Sequence, residues 1–132
     1  MTSIISEYLE YHDKYTNIYG LDKTLVLMQM GSFYEAYATL DKGPNLQLLE
    51  SLTDVVMTKR NTSIAEVTIK HPYMWGFPIV SATKYFEILI NEGFRLIIID
   101  QMPQISQKSK IERKVVAIYS QGTYIDSVTK PS

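Results

Sequence analysis

No cysteine occurs in the chain, which excludes disulfides and every zinc or iron–sulfur site that needs thiolate ligands. Histidine is nearly as scarce. His12 and His71 are the two present, with no further His or Cys to complete a metal site, so both read as structural residues. No Gly-x-Gly-x-x-Gly follows a strand and no Walker phosphate loop is present, so nucleotide binding within this chain has no support. No apolar run approaches the roughly twenty residues of a membrane span. The first fifteen residues carry Glu7, Glu10 and Asp13 against Lys14, which suits neither a secretory signal nor an Arg-rich transit peptide. The expectation is an intracellular, reducing compartment without membrane association, with cytoplasm, nucleus and organelle left undistinguished. Asn61-Thr62-Ser63 spells a glycosylation sequon, but without a secretory signal it reads as a loop. Internal repeats, long linkers and low-complexity tracts are absent.

What is present fits one globular domain. At 132 residues, 45% hydrophobic and 20% charged, the chain can bury roughly two thirds of its unfolded surface in a single core. Its net charge of −1 argues against a protein that coats DNA through phosphate neutralisation. The distribution says more than the sum. Residues 1–54 hold three cations against eight acids, whereas residues 55–132 hold ten against six. The basic half includes Lys59-Arg60 and the cluster Lys108, Lys110, Arg113 and Lys114, which charge alone would assign to solvated loops.

Periodicity gives the elements. Ile4, Ile5, Tyr8, Tyr11, His12 and Tyr15 recur three and four apart, predicting an amphipathic helix over residues 3–16. A strand follows at 24–30 and a short one at 34–38. Asp41-Lys42-Gly43-Pro44-Asn45 is turn chemistry, and Leu46, Leu48, Leu49 and Leu52 predict a helix of two to three turns. Strands are expected at 55–58 and 66–69, and a turn or edge strand where Gly76 and Pro78 interrupt the pattern. Ser81-Ala82-Thr83 opens a helix with Tyr85, Phe86, Leu89 and Ile90 as its apolar face and Gly93 as its stop. Residues 95–99 and 114–119 read as strands, with a polar, mobile loop at 104–110. The fold class is α/β: a mixed β-sheet packed by α-helices in a single domain.

Leu25 to Met30 is almost continuously apolar, the pattern of a strand buried on both faces, and Gly31 permits the sharp turn that ends it. Beyond the turn, side chains of an extended segment alternate faces, so Phe33 and Glu35 point one way and Tyr34 turns back toward the core. An apolar wedge beside a hydrogen-bonding carboxylate is the pairing needed to enter a weakened base step and grip the displaced base. Phe33 as an ordinary core residue and Glu35 as a solvated carboxylate are the duller readings. An acid/base pair of Glu35 with Asp100 has nothing to fix its separation. Met74, Trp75 and Phe77 read as core or interface packing.

The same residues resemble a family. Gly31-Ser32-Phe33-Tyr34-Glu35 is similar to the Gly-Asp-Phe-Tyr-Glu segment of the N-terminal mismatch-recognition domain of MutS-type DNA mismatch repair proteins, with Ser32 where Asp is usual. Pro72 to Pro78 resembles the family's Pro-x-Met-x-Gly-x-Pro stretch, with Trp75 where a small residue is common. Thr58-Lys59-Arg60, Asp100-Gln101, Glu112 to Val116 and Gly122-Thr123 match further segments, so the likeness runs from about residue 5 to about residue 125. The Gly43-Pro44 pair departs from a longer helix usual in the family.

The resemblance implies a mismatch-recognition domain over residues 1–126 and the start of a linker to a connector domain at 127–132. Its partner would be double-stranded DNA carrying mismatches or small loops. Phe33 would enter the minor groove and stack on a mispaired or unpaired base, with Glu35 contacting that base, and Lys59, Arg60, Lys108, Lys110 and Arg113 become candidate backbone contacts. No catalytic residue, metal or cofactor is expected in this chain. The implied parent is a homo- or heterodimeric ATPase whose ATP and Mg2+ belong to a domain outside it. Recognition of branched or damaged DNA, or a protein-interaction role without DNA, are the alternatives.

Overall fold

The computed structural model describes residues 3–59, 63, 65–106 and 109–122. Helix α1 (Ile4–Tyr19) opens on Ser3, whose hydroxyl accepts from the Ser6 amide at 3.1 Å, satisfying one of the orphan donors of the first turn. It runs beyond the expected end at residue 16. Tyr19 stacks on Tyr15 and lies 4.3 Å beneath the Arg95 guanidinium, contacts that hold the final turn until Gly20 caps it. Strands β1 (Thr24–Met30) and β2 (Phe33–Ala38) form a hairpin, followed by the two-turn helix α2 (Leu46–Leu52). Then come β3 (Thr58–Lys59), β4 (Tyr73–Pro78), a 3-10 turn at Ile79–Ser81, α3 (Ala82–Asn91), β5 (Arg95–Gln101) and β6 (Arg113–Tyr119).

The strands make one sheet in the order β3-β4-β2-β1-β5-β6, with β1 and β5 parallel and the remaining neighbours antiparallel. This is the expected mixed sheet. The parallel pair is its centre: Leu25 to Met28 and Leu96 to Ile99 are buried throughout, as a sheet covered on both faces requires. One face is covered by α1, where the Tyr8 hydroxyl donates to the Val26 carbonyl at 2.7 Å and the Tyr8 ring meets Tyr37 edge-on at 5.4 Å. The other is covered by α3. There Phe86 packs on Tyr34 and Tyr85 stacks on Phe77, with centroids 5.8 and 4.6 Å apart.

Three expectations need correction. Residues 55–57 are not a strand, because their polar backbone groups are met by side chains: the Val55 carbonyl accepts from Trp75 Nε1 at 3.1 Å, and the Met57 amide donates to Glu50 at 2.6 Å. The expected strand at 66–69 is a turn, closed by reciprocal backbone hydrogen bonds between Thr68 and His71. Gly76 and Pro78 do not break the chain into a turn; they lie within β4, which pairs with β2 along its whole length. The edge reading holds in part, since β3 pairs only with Tyr73 and Met74. The rest of β4 has no strand on that side among the described residues, so Pro78 removes no ladder hydrogen bond there. The domain boundary expected at residue 126 lies outside the described residues.

His12 generates a prediction about stability. Its ring is buried, Nδ1 has no hydrogen-bond partner, and burial pulls its pKa below the ordinary 6.5, against a smaller opposing pull from Asp13. The unfolded chain therefore takes up a proton at His12 before the folded one does. This part of the stability is intact above about pH 6.5 and is lost as the pH falls through that value toward the lower folded pKa. Urea midpoints of the chain should fall between pH 7.5 and 5.5, and the fall should shrink in His12→Leu; equal slopes for the two proteins would refute the assignment.

Candidate nucleic-acid interface

The candidate site grows from the β1–β2 turn. Gly31 has φ +64°, and a Cβ there would meet nothing within 4 Å, so glycine is required by the left-handed backbone and not by space. The turn brings Phe33 opposite Met30 on one side and Pro78 on the other. Side-chain alternation then separates the row exactly as periodicity predicts in kind: Phe33 is 42% exposed, while its neighbour Tyr34 is 7% exposed and packs beneath α3. The Tyr34 hydroxyl donates to Asp100 at 2.6 Å, and burial, with this carboxylate second, pushes the phenol far above its ordinary value.

Three contacts brace the turn. The Ile79 amide donates to the Ser32 carbonyl at 2.9 Å. Gln29 joins the turn to the end of β5, its Nε2 donating to the Gly31 carbonyl at 3.0 Å and its Oε1 accepting from the Gln101 amide at 2.7 Å. Arg113 reaches across β5 from β6, with Nε donating to the Gln29 carbonyl at 2.9 Å and Nη2 lying 3.4 Å from Met30 Sδ. Met30, the β1 partner of Phe33, is thereby held from β6.

Glu35 follows Phe33 by two positions, about 7 Å along the strand and on the same face. It is half-buried, its Oε1 accepts from the Tyr37 hydroxyl, and it lies opposite Gly76. The opposing glycine is a matter of contact. A Cβ at residue 76 would come within 2.5 Å of the Tyr34 carbonyl and 3.1 Å of Glu35 Cγ.

The sheet also sorts the expected cations. The parallel β1 and β5 end together, and pairing of Phe33 with Pro78 and of Gln101 with Arg113 puts the residue 31–32 turn, the residue 79–81 turn and the residue 102–112 loop at one end. Phe33, Glu35 and Arg113 share a face there, and the exposed Lys110 lies in the adjoining loop. Val80 and Ile105 at this end are 96% and 95% exposed. Lys59 is at the other end, paired with Tyr73, five residue steps or about 17 Å from the Phe33 row. Its ammonium donates to the Ala65 carbonyl at 3.2 Å. Arg60 and Lys108 lie outside the described residues. Gln29, Met30 and Tyr37 were not singled out from the sequence. Tyr37 was within reach, since the alternation that links residues 33 and 35 extends to 37; the reach of Arg113 over two strands has no local signal. Among the described residues no group of three His, Asp or Glu side chains could hold a metal ion, and no helix is long and apolar enough to cross a membrane.

An exposed aromatic braced at a hairpin end, with a carboxylate beside it, is the arrangement expected from the motif. Comparison with known proteins decides the family: residues 2–128 match the family described as MutS domain I. The chain belongs to the MutS domain I family. A mutS homolog of Acanthamoeba polyphaga mimivirus is 37% identical over 128 residues. DNA mismatch repair protein MutS 2 of Haloarcula marismortui is 33% identical over 128 residues, and DNA mismatch repair protein MutS of Natronomonas pharaonis 30% over 128. Each alignment covers 96% of this chain and 11% to 13% of the relative, so this MutS domain I corresponds to about one eighth of those proteins.

The close approach at Gly76 is testable. Gly76→Ala should destabilise the domain by about 1–3 kcal/mol, the usual cost of overpacking where backbone must give. A denaturant midpoint equal to that of the wild type would show that β2 and β4 separate there without cost.

Proposed function

We propose that this MutS domain I recognises mismatches or small loops in double-stranded DNA, inserting Phe33 into the minor groove while Glu35 contacts the displaced base. The observation that carries the reading is Phe33 itself, an aromatic left 42% exposed at a braced turn while the next residue is buried. The names of the relatives, DNA mismatch repair proteins, support the same reading. Unstacking costs a few kcal/mol at an intact step and less where pairing is already defective, so a wedge discriminates by deformability without reading sequence. Glu35 adds to the discrimination from the other side: its charge opposes the phosphates of intact duplex, and its oxygens can hydrogen-bond a base that has left the stack.

In this reading Arg113 and Lys110 contact the backbone beside the wedge, and Lys59, Arg60 and Lys108 are further backbone contacts. The chain itself carries no catalysis. Residues 1–126 are the recognition domain and residues 127–132 begin the connection to the rest of a dimeric parent, whose ATP and Mg2+ are bound elsewhere.

The test is competition between matched and mismatched duplexes by the parent protein. Base–aromatic stacking is worth roughly 1–3 kcal/mol per base, so Phe33→Ala should cut the preference for a G·T or single-base-loop duplex about 5- to 150-fold. Undiminished preference would overturn the wedge. Glu35→Ala should tighten binding to matched duplex and lower the mismatch-to-match ratio; weaker binding to matched duplex would contradict the role given to the carboxylate.

A further inference from the structure

We propose that Tyr37 is a positioning residue for Glu35, holding one carboxylate oxygen so that the other is presented beside Phe33. The inference rests on the reading of Glu35 as a base-contacting group. Tyr37 is fully buried on β2 and fixed edge-on against Tyr8 of α1, so its hydroxyl is a stationary donor. That hydroxyl donates to Glu35 Oε1, two residues along the same face. Opposite Glu35 the bare backbone of Gly76 leaves the space in which the side chain lies, since a Cβ there would sit 3.1 Å from Glu35 Cγ. Glutamate has three rotatable bonds and loses considerable rotamer freedom when it is fixed. With Oε1 engaged, that loss is borne on folding, and Oε2 meets a displaced base without a further search.

The arrangement differs from a simple structural hydrogen bond in what it couples. Removing the phenol oxygen leaves the ring and its contact with Tyr8, so a structural role would change stability without altering how matched and mismatched duplexes are ranked. A positioning role changes the ranking, and only when Glu35 is present. This is a double-mutant cycle.

In the parent protein, Tyr37→Phe should lower the mismatch-to-match affinity ratio about fivefold, the scale of one net hydrogen bond. The same substitution should have no effect on the ratio in a Glu35→Ala background, and should retain part of its effect in Glu35→Gln, whose amide oxygen can still accept. By NMR of the 132-residue chain, the Tyr37 hydroxyl proton should be protected from exchange in the wild type and lose that protection in Glu35→Ala, a measurement that needs no substitution at Tyr37. An unchanged ratio in Tyr37→Phe, with Glu35→Ala still lowering it, would overturn the positioning role and leave the base contact standing. Equal losses in the presence and absence of Glu35 would show that Tyr37 acts by another route. Should Glu35→Ala leave the ratio untouched, the base contact fails and the inference fails with it.

Discussion

The register of the β1–β2 hairpin is the constraint on which the molecule depends. A side-chain repeat of two means that a slip of one residue would exchange the faces of every β2 residue, burying Phe33 and expelling Tyr34. A phenol on β2 guards against that slip. Tyr34 and Tyr37 lie on opposite faces, and each needs a partner for a hydroxyl that water does not reach. Tyr34 finds Asp100 across two strands and Tyr37 finds Glu35 on its own strand. After a slip Tyr34 would lie on the face away from Asp100 and that pairing could not form, whereas Glu35 and Tyr37 would change faces together. Hydrophobic pattern alone would tolerate the error better, because both faces of β2 are apolar over Ala36 to Ala38.

The taper of the covering layer explains why one aromatic stays outside. Helix α1 encloses the row at Tyr37, which has no exposed surface, but the same row is open at Phe33. Exposure by itself is a poor signal in this chain, because Leu21, Leu40 and Val56 are more exposed than Phe33. What distinguishes Phe33 is support. Its β1 neighbour Met30 is held by Arg113, its turn is tied to Ile79 and Gln101 through backbone groups, and its β4 neighbour is a proline of fixed φ. These contacts join Phe33 to four other strands, the rigid support that the proposed insertion into a base step would require.

Much of this was legible in the sequence because it depends on local period. The apolar run of β1, the stop at Gly31, the alternation through Phe33, Tyr34 and Glu35, and the buried face of α3 each follow from residues close together in the chain. The expectations failed where other partners took the backbone groups, as in the local turn that Thr68 and His71 close at 66–69. Residues 55–57 have a strand's composition, yet Trp75 and Glu50 take the hydrogen bonds that a strand neighbour would have taken. Gly76 and Pro78 look like strand breakers until the carbonyl of Tyr34 and the short β3 are known, and then each is what its position demands. The cations were the least legible, since charge in a sequence carries no direction: Lys59 and Arg113 looked alike, and the sheet sends them to opposite ends.

The electrostatics of the wedge end bear on how such a domain would bind. Arg113 commits Nε and one edge of its guanidinium to the protein, to a backbone carbonyl and a thioether sulfur, leaving part of its fork for a phosphate. Among the described residues of the adjoining loop Lys110 is exposed, and Glu35 opposes both cations from the same end. Each neutralised phosphate steepens the salt dependence of binding by close to one unit in log–log slope, so the affinity this end draws from the backbone is set by how many of its cations reach phosphates. Modest attraction would be consistent with selectivity. A surface that held any duplex tightly would mask the few kcal/mol by which a defective step yields more easily than an intact one, whereas a surface that holds duplex weakly lets that difference decide what stays bound.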